Sequence, residues 1–450
     1  MSWIRWAVLG STIAYQLYKK NNVPKPQGIN VGQYRGPLGG STTIGIPPQD
    51  RLKHTHLLGA TGTGKTTLIK NLVVQDLRAG HGLCVIDPKS DLIDDILLHI
   101  PDHRVNDVVL FDATDTDYPI GFNILEWVPE TERSLTASAV VSVFRKLHQQ
   151  STWGPRLEYI LRHAVITLLE VPGSTLLDLP DILNNREYLQ ALLQHIQDPT
   201  VLNFWHEEYL TLSDGQRRQA ISPILNKVGP WLTYPECRNI VTARQSSFNL
   251  RQLMDNRKIL LVKIPHGLLG EDISAFLGAM LVAKIQLAAM TRADLPPGKA
   301  VPFFLYVDEF QNFVTNAFEK ILTEARSFGL GLIVANQHPH QLTTSLFHSL
   351  ENNVAARITC QRNRGAYHAQ YQMMQDVNRP VIDIRPLPPL QGGNPRTRAH
   401  IRQLSRQKYA RSRREAEAQL RQLNARRRPR PTPPPRPDDG GRISFRDPAD

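Results

Sequence analysis

Gly59-Ala60-Thr61-Gly62-Thr63-Gly64-Lys65-Thr66 has the G-x-x-x-x-G-K-[ST] spacing of a phosphate-binding loop. Its glycines let successive backbone N–H groups turn inward around phosphate oxygens, which bulky side chains would prevent. Lys65 is spaced to reach the β- and γ-phosphates, and the Thr66 hydroxyl to hold Mg²⁺. Thr67 completes the loop's set of nucleotide-binding candidates. Before the loop, residues 54–58 read as a short strand. After it, Leu68, Ile69, Leu72, Val73 and Leu77 recur at helical spacing, with Gly80 as a stop. Strand, glycine loop and helix N-terminus together make an anion site. The ligands expected are ATP and Mg²⁺.

A second set of residues completes that chemistry. Phe303-Phe304-Leu305-Tyr306-Val307 is an apolar strand that ends in Asp308-Glu309. Asp308 is expected to hold the Mg²⁺ shell, and Glu309 to orient and deprotonate an attacking water. Gln337, just past the apolar run 330–335, stands where parallel sheets place ligands, suited to sensing a γ-phosphate or positioning water. Arg326, at the end of the preceding helix, is a candidate to place positive charge on the transition state, with Arg357 as a weaker rival. In Asp87-Pro88-Lys89-Ser90-Asp91, Asp87 is a candidate for the Mg²⁺ or water network, and Asp91 for capping the next helix. His54, His56, His338 and His340 match no compact metal-ligand spacing.

The elements that must position these residues alternate between strand and helix over 44–128 and again over 250–385, a pattern that implies a parallel sheet covered on both faces. Between them, residues 129–249 lose the strand runs and show helical patterns only. The fold class expected is α/β, a nucleotide-binding domain in two parts interrupted by an all-α insertion. The apolar run 273–290 reads as a core helix, because Lys284 and Gln286 interrupt it. Residues 1–20 hold an apolar segment, 3–18, suited either to a membrane-associated helix or to a packed one. At about 24 Å it is short of a ~30 Å hydrocarbon core. Residues 21–43 read as a Pro/Gly-rich linker or arm.

Three cysteines far apart fit a reducing compartment and no disulfide framework. The formal net charge of +12 is concentrated at one end. Fourteen Lys/Arg stand against Glu415 and Glu417 between residues 395 and 436. Residues 386–450 therefore read as a basic, Pro/Arg-rich, disordered tail in which 401–423 can form a basic helix. Nucleic acid, an anionic membrane surface or a protein are its alternative partners.

Residues 51–56 running into the phosphate loop, then Asp87-Pro88-Lys89-Ser90-Asp91, resemble the HerA/FtsK superfamily of P-loop NTPases. More narrowly, the chain resembles type IV coupling proteins, the TraG/TraD-like ATPases of conjugation and type IV secretion. Residues 306–313 are similar to their Walker B segment, and residues 324–330 with 335–337 to the stretch that follows it. The resemblance spans about residues 28–374. It implies a RecA-like domain with an all-α insertion and a homo-hexameric ring with Mg-ATP between subunits. It also implies non-sequence-specific DNA in the channel, and an arginine donated in trans, which Arg326 matches by position. A relaxase, a secretion channel and the inner face of the cell membrane are the partners it implies for a cytoplasmic protein. Ser90 stands where the family's Asp-Pro-Lys-Gly-Asp motif has glycine. The function expected is an ATP-hydrolysing DNA-translocating motor. The alternatives are a nucleotide-gated adaptor that docks a protein substrate without pumping DNA, or a related motor for DNA partition, processing or packaging.

Overall fold

The computed structural model describes residues 28–36, 40–147, 153–296, 298–315, 318–363, 366–374 and 381–427. The apolar segment 3–18 and the Arg/Pro-rich stretch beyond residue 427 lie outside them.

The two segments expected to alternate between strand and helix supply seven strands: β3 (Thr55–Leu58), β4 (Gly82–Asp87), β5 (Val108–Asp112), β6 (Ile259–Lys263), β7 (Phe303–Val307), β8 (Leu330–Asn336) and β9 (Ala356–Asn363). They lie parallel in the order β9-β3-β8-β7-β4-β6-β5. Four antiparallel strands extend the sheet beyond β9 to eleven: β10 (Ala366–Met373), β11 (Ile382–Pro386), β1 (Ile29–Arg35) and β2 (Ser41–Ile46).

The strand at 29–35 differs from the linker expected there. Ile29 and Val31 are buried while Gln33 and Arg35 are exposed, and a register irregularity between Asn30 and Gly32 breaks the two-residue period, so the strand is hidden among glycines and prolines. Gly32 permits the pairing, since a Cβ there would lie 2.5 Å from the Arg385 carbonyl oxygen of β11.

Alternation along the strands feeds two cores. Leu83 and Val85 of β4 face a cluster with Leu68, Leu72 and Val73 of helix α1 (Lys65–Arg78) and with Leu92 and Ile93 of α2 (Asp91–Ile96). Cys84 and Ile86 face the other side. There the core is continuous from the sheet through α7 (Glu271–Met290) into the helices between β5 and β6. No strand occurs between β5 and β6 among the described residues. The main helices of that stretch are α3 (Glu130–Leu147), α4 (Pro155–Glu170), α5 (Asp214–Thr233) and α6 (Pro235–Val241). Trp231 of α5 stacks on Phe276 of α7 with ring centroids 3.9 Å apart, so the insertion and the sheet share one apolar body. Helix α7 with the turn after it is long and apolar enough to cross a membrane, yet most of its apolar window is buried in the protein.

The basic segment expected as a disordered tail is folded through residue 427. Its expected helix is two, α8 (Pro395–Tyr409) and α9 (Arg413–Arg427), broken at residues 410–412. Helix α8 covers the edge strand β5: Ile401 is fully buried, and the Ser405 hydroxyl accepts from the Leu110 N–H at 2.9 Å. Arg406 pairs with Asp115 at 2.7 Å and Arg402 with Asp112 at 3.4 Å. Arg411 then donates to the Asn239 carbonyl of α6 at 2.6 Å, and Ala416 and Leu423 of α9 are buried. Sparse apolar residues among many arginines conceal this docking, because two of those arginines pair with acidic groups on β5 and the loop after it.

Candidate nucleotide site

Strand β3 delivers the chain into residues 59–64, and α1 begins at Lys65. Gly62 and Gly64 have φ of 79° and 97°, in the left-handed region that favours glycine. A Cβ at Gly59 would lie 2.5 Å from the Cys360 carbonyl of β9. The loop is closed by Thr63, whose hydroxyl donates to the Ala60 carbonyl at 2.7 Å. Lys65 is buried; its ammonium donates to the carbonyl of Gly59 and, at 3.2 Å, to that of Ala60. Burial lowers its pKa, against the raising pull of Asp308 and Glu309.

Three strand ends bring the second set of residues to this loop. Asp308, at the end of β7, accepts from the Thr66 hydroxyl at 3.3 Å. These two oxygens sit together as donors suited to a hard cation. Asp308 is pushed up by burial and then by neighbouring Glu309. Glu309 behaves oppositely. Burial would raise it, but donors hold it below the usual carboxylate range: Lys89 at 2.6 Å and Gln337 at 2.9 Å on Oε1, and Gln311 at 2.8 Å on Oε2. Two adjacent carboxyl groups thus have environments that separate their proton affinities, with Glu309 the more acidic of the two. Glu309 also has a φ of 47°, sparsely populated for a residue with a Cβ.

Gln337 ties this group to the phosphate loop, because its Oε1 accepts from the Thr61 hydroxyl at 3.1 Å. Thr67 lies one residue beyond Thr66 in the first turn of α1. Asp87 is buried, and its oxygens accept from the backbone N–H groups of Lys89 at 2.8 Å and Ile93 at 3.1 Å. It therefore shapes the turn that presents Lys89. It also satisfies the start of α2, the capping expected of Asp91. Ser90 has a φ of 79°, which explains why glycine is usual at that place in the motif.

Arg326 is not part of this cluster. It is exposed, in the turn before β8, whereas Gln337 follows the far end of that strand. Seven residues of strand separate them by about 20 Å. Arg326 therefore lies at the sheet edge opposite its own phosphate loop. Arg357 pairs with Glu351 and lies near the Phe347 ring, 5.9 Å from its centroid.

Sequence reasoning assigned no role to Lys89, Gln311, His54 or His56. Lys89 and Glu309 come from strands far apart in sequence, and only the β4–β7 pairing brings them together. The two histidines are brackets between strands and turns. His54 Nδ1 accepts from the Leu332 N–H at 3.1 Å, and its Nε2 donates to the Leu322 carbonyl at 3.2 Å. His56 Nε2 bonds the Asn336 side-chain oxygen at 2.7 Å, and Asn336 in turn donates to the His338 carbonyl at 2.8 Å. Burial lowers each imidazole to about 4.

No family model matches the chain, and no curated protein matches it. Solved structures do. The bacterial conjugative coupling protein TrwBdeltaN70 superposes with a TM-score of 0.57 at 15% identity, over 84% of this chain and 91% of that one. TrwB in complex with ADP and Mg²⁺ gives 0.57 at 15%, over 84% and 94%. VirB4 of Thermoanaerobacter pseudethanolicus gives 0.54 at 12%, over 81% and 98%. The chain therefore has the RecA-type P-loop fold of the conjugative coupling protein TrwB.

Proposed function

We propose that the chain is an ATP-hydrolysing, DNA-translocating coupling ATPase of conjugative or type IV secretion DNA transfer. The observation that carries the reading is the setting of Glu309. It is buried and ionised, and held by Lys89, Gln311 and Gln337 beside Asp308 and the phosphate loop. The TrwB structures with ADP and Mg²⁺, with a non-hydrolysable ATP analogue and with a non-hydrolysable GTP analogue support binding of a nucleotide and Mg²⁺.

The residues fit Mg-ATP: Thr66 and Asp308 converge as hard oxygen donors, and a side chain at Gly59 would crowd the cradle. When bound, Mg²⁺ neutralises charge on the β- and γ-phosphates. The chain's own groups do the rest. The loop amides and Lys65 hold the phosphates, and Gln337 positions the attacking water. Glu309 takes the water's proton, with Lys89 keeping the carboxylate ionised until then. Arg326, remote from its own loop, supplies positive charge to a neighbouring subunit's site, which requires an oligomer; a homo-hexameric ring is the proposed form. DNA is gripped through its phosphates without sequence preference. A relaxase and a secretion channel are the proposed partners, at the inner face of the cell membrane with residues 3–18 as the attachment.

The test is steady-state ATP hydrolysis with and without single- and double-stranded DNA, across protein concentration. Strong stimulation by DNA that rises steeply with protein concentration is expected. Hydrolysis indifferent to both would favour the adaptor and make Arg326 an ordinary surface residue.

A further inference from the structure

We propose that Lys146, on helix α3 of the helical insertion, is a positioning residue for Glu309 that acts through Gln311. The inference rests on the ATPase reading above and extends it to a residue that touches neither nucleotide nor water.

Helix α3 anchors one face in the core through Val140, Val143 and Phe144. Lys146, in its last turn, points away from that face toward the turn after β7. There its ammonium donates to the backbone carbonyl of Gln311 at 2.7 Å. The Gln311 side chain in turn donates from Nε2 to Glu309 Oε2 at 2.8 Å. The two ends of Glu309 are thus held differently. Oε1 takes its partners from Lys89 and Gln337, which belong to the sheet's own loops. Oε2 takes Gln311, whose backbone is held from the insertion.

Two costs accompany this arrangement. The Gln311 side-chain oxygen is buried without a hydrogen-bond partner among the described residues, so the amide is turned toward Glu309 at the expense of its other end. Lys146 is itself half-buried, and the desolvation of its ammonium lowers its pKa to about 8, so a charged donor is kept where an apolar side chain would pack more cheaply. Both costs are consistent with a contact kept for Glu309. A shift of the end of α3 moves the Gln311 carbonyl, hence its amide, hence Oε2. The insertion therefore reaches the hydrolytic carboxylate by two hydrogen bonds and one residue.

The experiment is a double-mutant cycle on the full chain, with kcat and KM for ATP measured for wild type, Lys146→Met, Gln311→Ala and the double variant. Gln311→Ala removes the amide but leaves the backbone carbonyl on which Lys146 rests, so the cycle isolates the relay. Each single change is expected to lower kcat about tenfold with KM unchanged, because the phosphate loop is untouched. The double variant is expected to be no slower than either single, and Lys146→Arg to recover part of the loss. Losses that multiply in the double variant, a wild-type kcat for Lys146→Met, or a change confined to KM would overturn the relay. Should Lys146→Met not fold, Lys146→Leu, which also lacks a donor, serves the same cycle. A wild-type chain without ATP turnover would sink the ATPase reading itself, and the positioning role with it. Active wild type with a multiplicative cycle would sink the relay alone.

Discussion

Lys89 and Glu309, 220 residues apart in the chain, meet at 2.6 Å because β4 and β7 are neighbours in the sheet. Lys89 stands first among the groups that hold Glu309 below the ordinary carboxylate range against its burial. Lys89→Ala is therefore expected to raise the Glu309 pKa. An acid group that holds its proton to higher pH shifts the acid limb of the kcat profile upward. The check is the pH dependence of ATP turnover between pH 4 and 8. An unmoved acid limb would remove Lys89 from this role. Glu309→Gln should abolish turnover while still binding ATP, whereas Lys65→Ala should lose both.

Arg326 and Gln337 bracket β8 at opposite ends, so a single subunit cannot bring both to one nucleotide. Arg326→Ala is expected to lower kcat by about a thousandfold, the scale of a lost arginine finger. Mixing Arg326→Ala chains with Glu309→Gln chains should restore part of the activity, since some interfaces then pair an intact arginine with an intact carboxylate. Mixtures as inactive as either variant alone would argue against donation between subunits.

His54 and His56 make the fold sensitive to acid. Their folded pKa values of about 4 lie below the unfolded value near 6.5. As pH falls through 6.5, the unfolded chain takes up protons that the folded chain refuses until about 4. Stability is therefore full above that window and falls across it, by at most about 3 kcal/mol per histidine. Chemical denaturation from pH 7 to 4 reads this directly, and His54→Asn should flatten the slope.

Ile401, fully buried under α8, sets a boundary for truncation. Ending the chain after residue 427 should spare folding and basal hydrolysis. Ending it after Arg385 removes the cover of β5 and the bond of Ser405 to Leu110, and should give insoluble or strongly destabilised protein. Ile401→Ala alone is expected to cost about 3 kcal/mol. Thermal melts of the two truncations and the point variant decide this. If the stretch beyond 427 tethers DNA, its removal should also flatten the salt dependence of DNA binding.

The parallel strands and the phosphate loop were legible because buried strands are continuous apolar runs and the loop is a fixed spacing of glycines. The four antiparallel strands were not. β1 has only two aliphatic side chains, Ile29 and Val31, around a register irregularity, and Tyr367 and His368 of β10 are exposed. The site was legible where one short stretch supplies a whole function, as in Gly59–Thr66 or Asp308-Glu309. It was not legible where function arises between strands. Lys89 and Gln311 acquire meaning only from the carboxylate they face, and Asp87 only from the amides it holds. The arginines of α8 read as charge for a partner, when two of them meet Asp112 and Asp115.

The strand order carries a consequence for synthesis. β1 pairs with β11, β3 with β8 and β9, and the exposed rim of β5 waits for a helix that ends at Tyr409. Six of the ten strand pairings join an early segment to a late one, so the ribosome must release most of the chain before the sheet can be completed. Until then β3, β4 and β5 lack the neighbours that later cover them, and the nascent chain is a client for chaperones. A polypeptide cut short by an early stop codon leaves adhesive, unpaired strands rather than a smaller working enzyme.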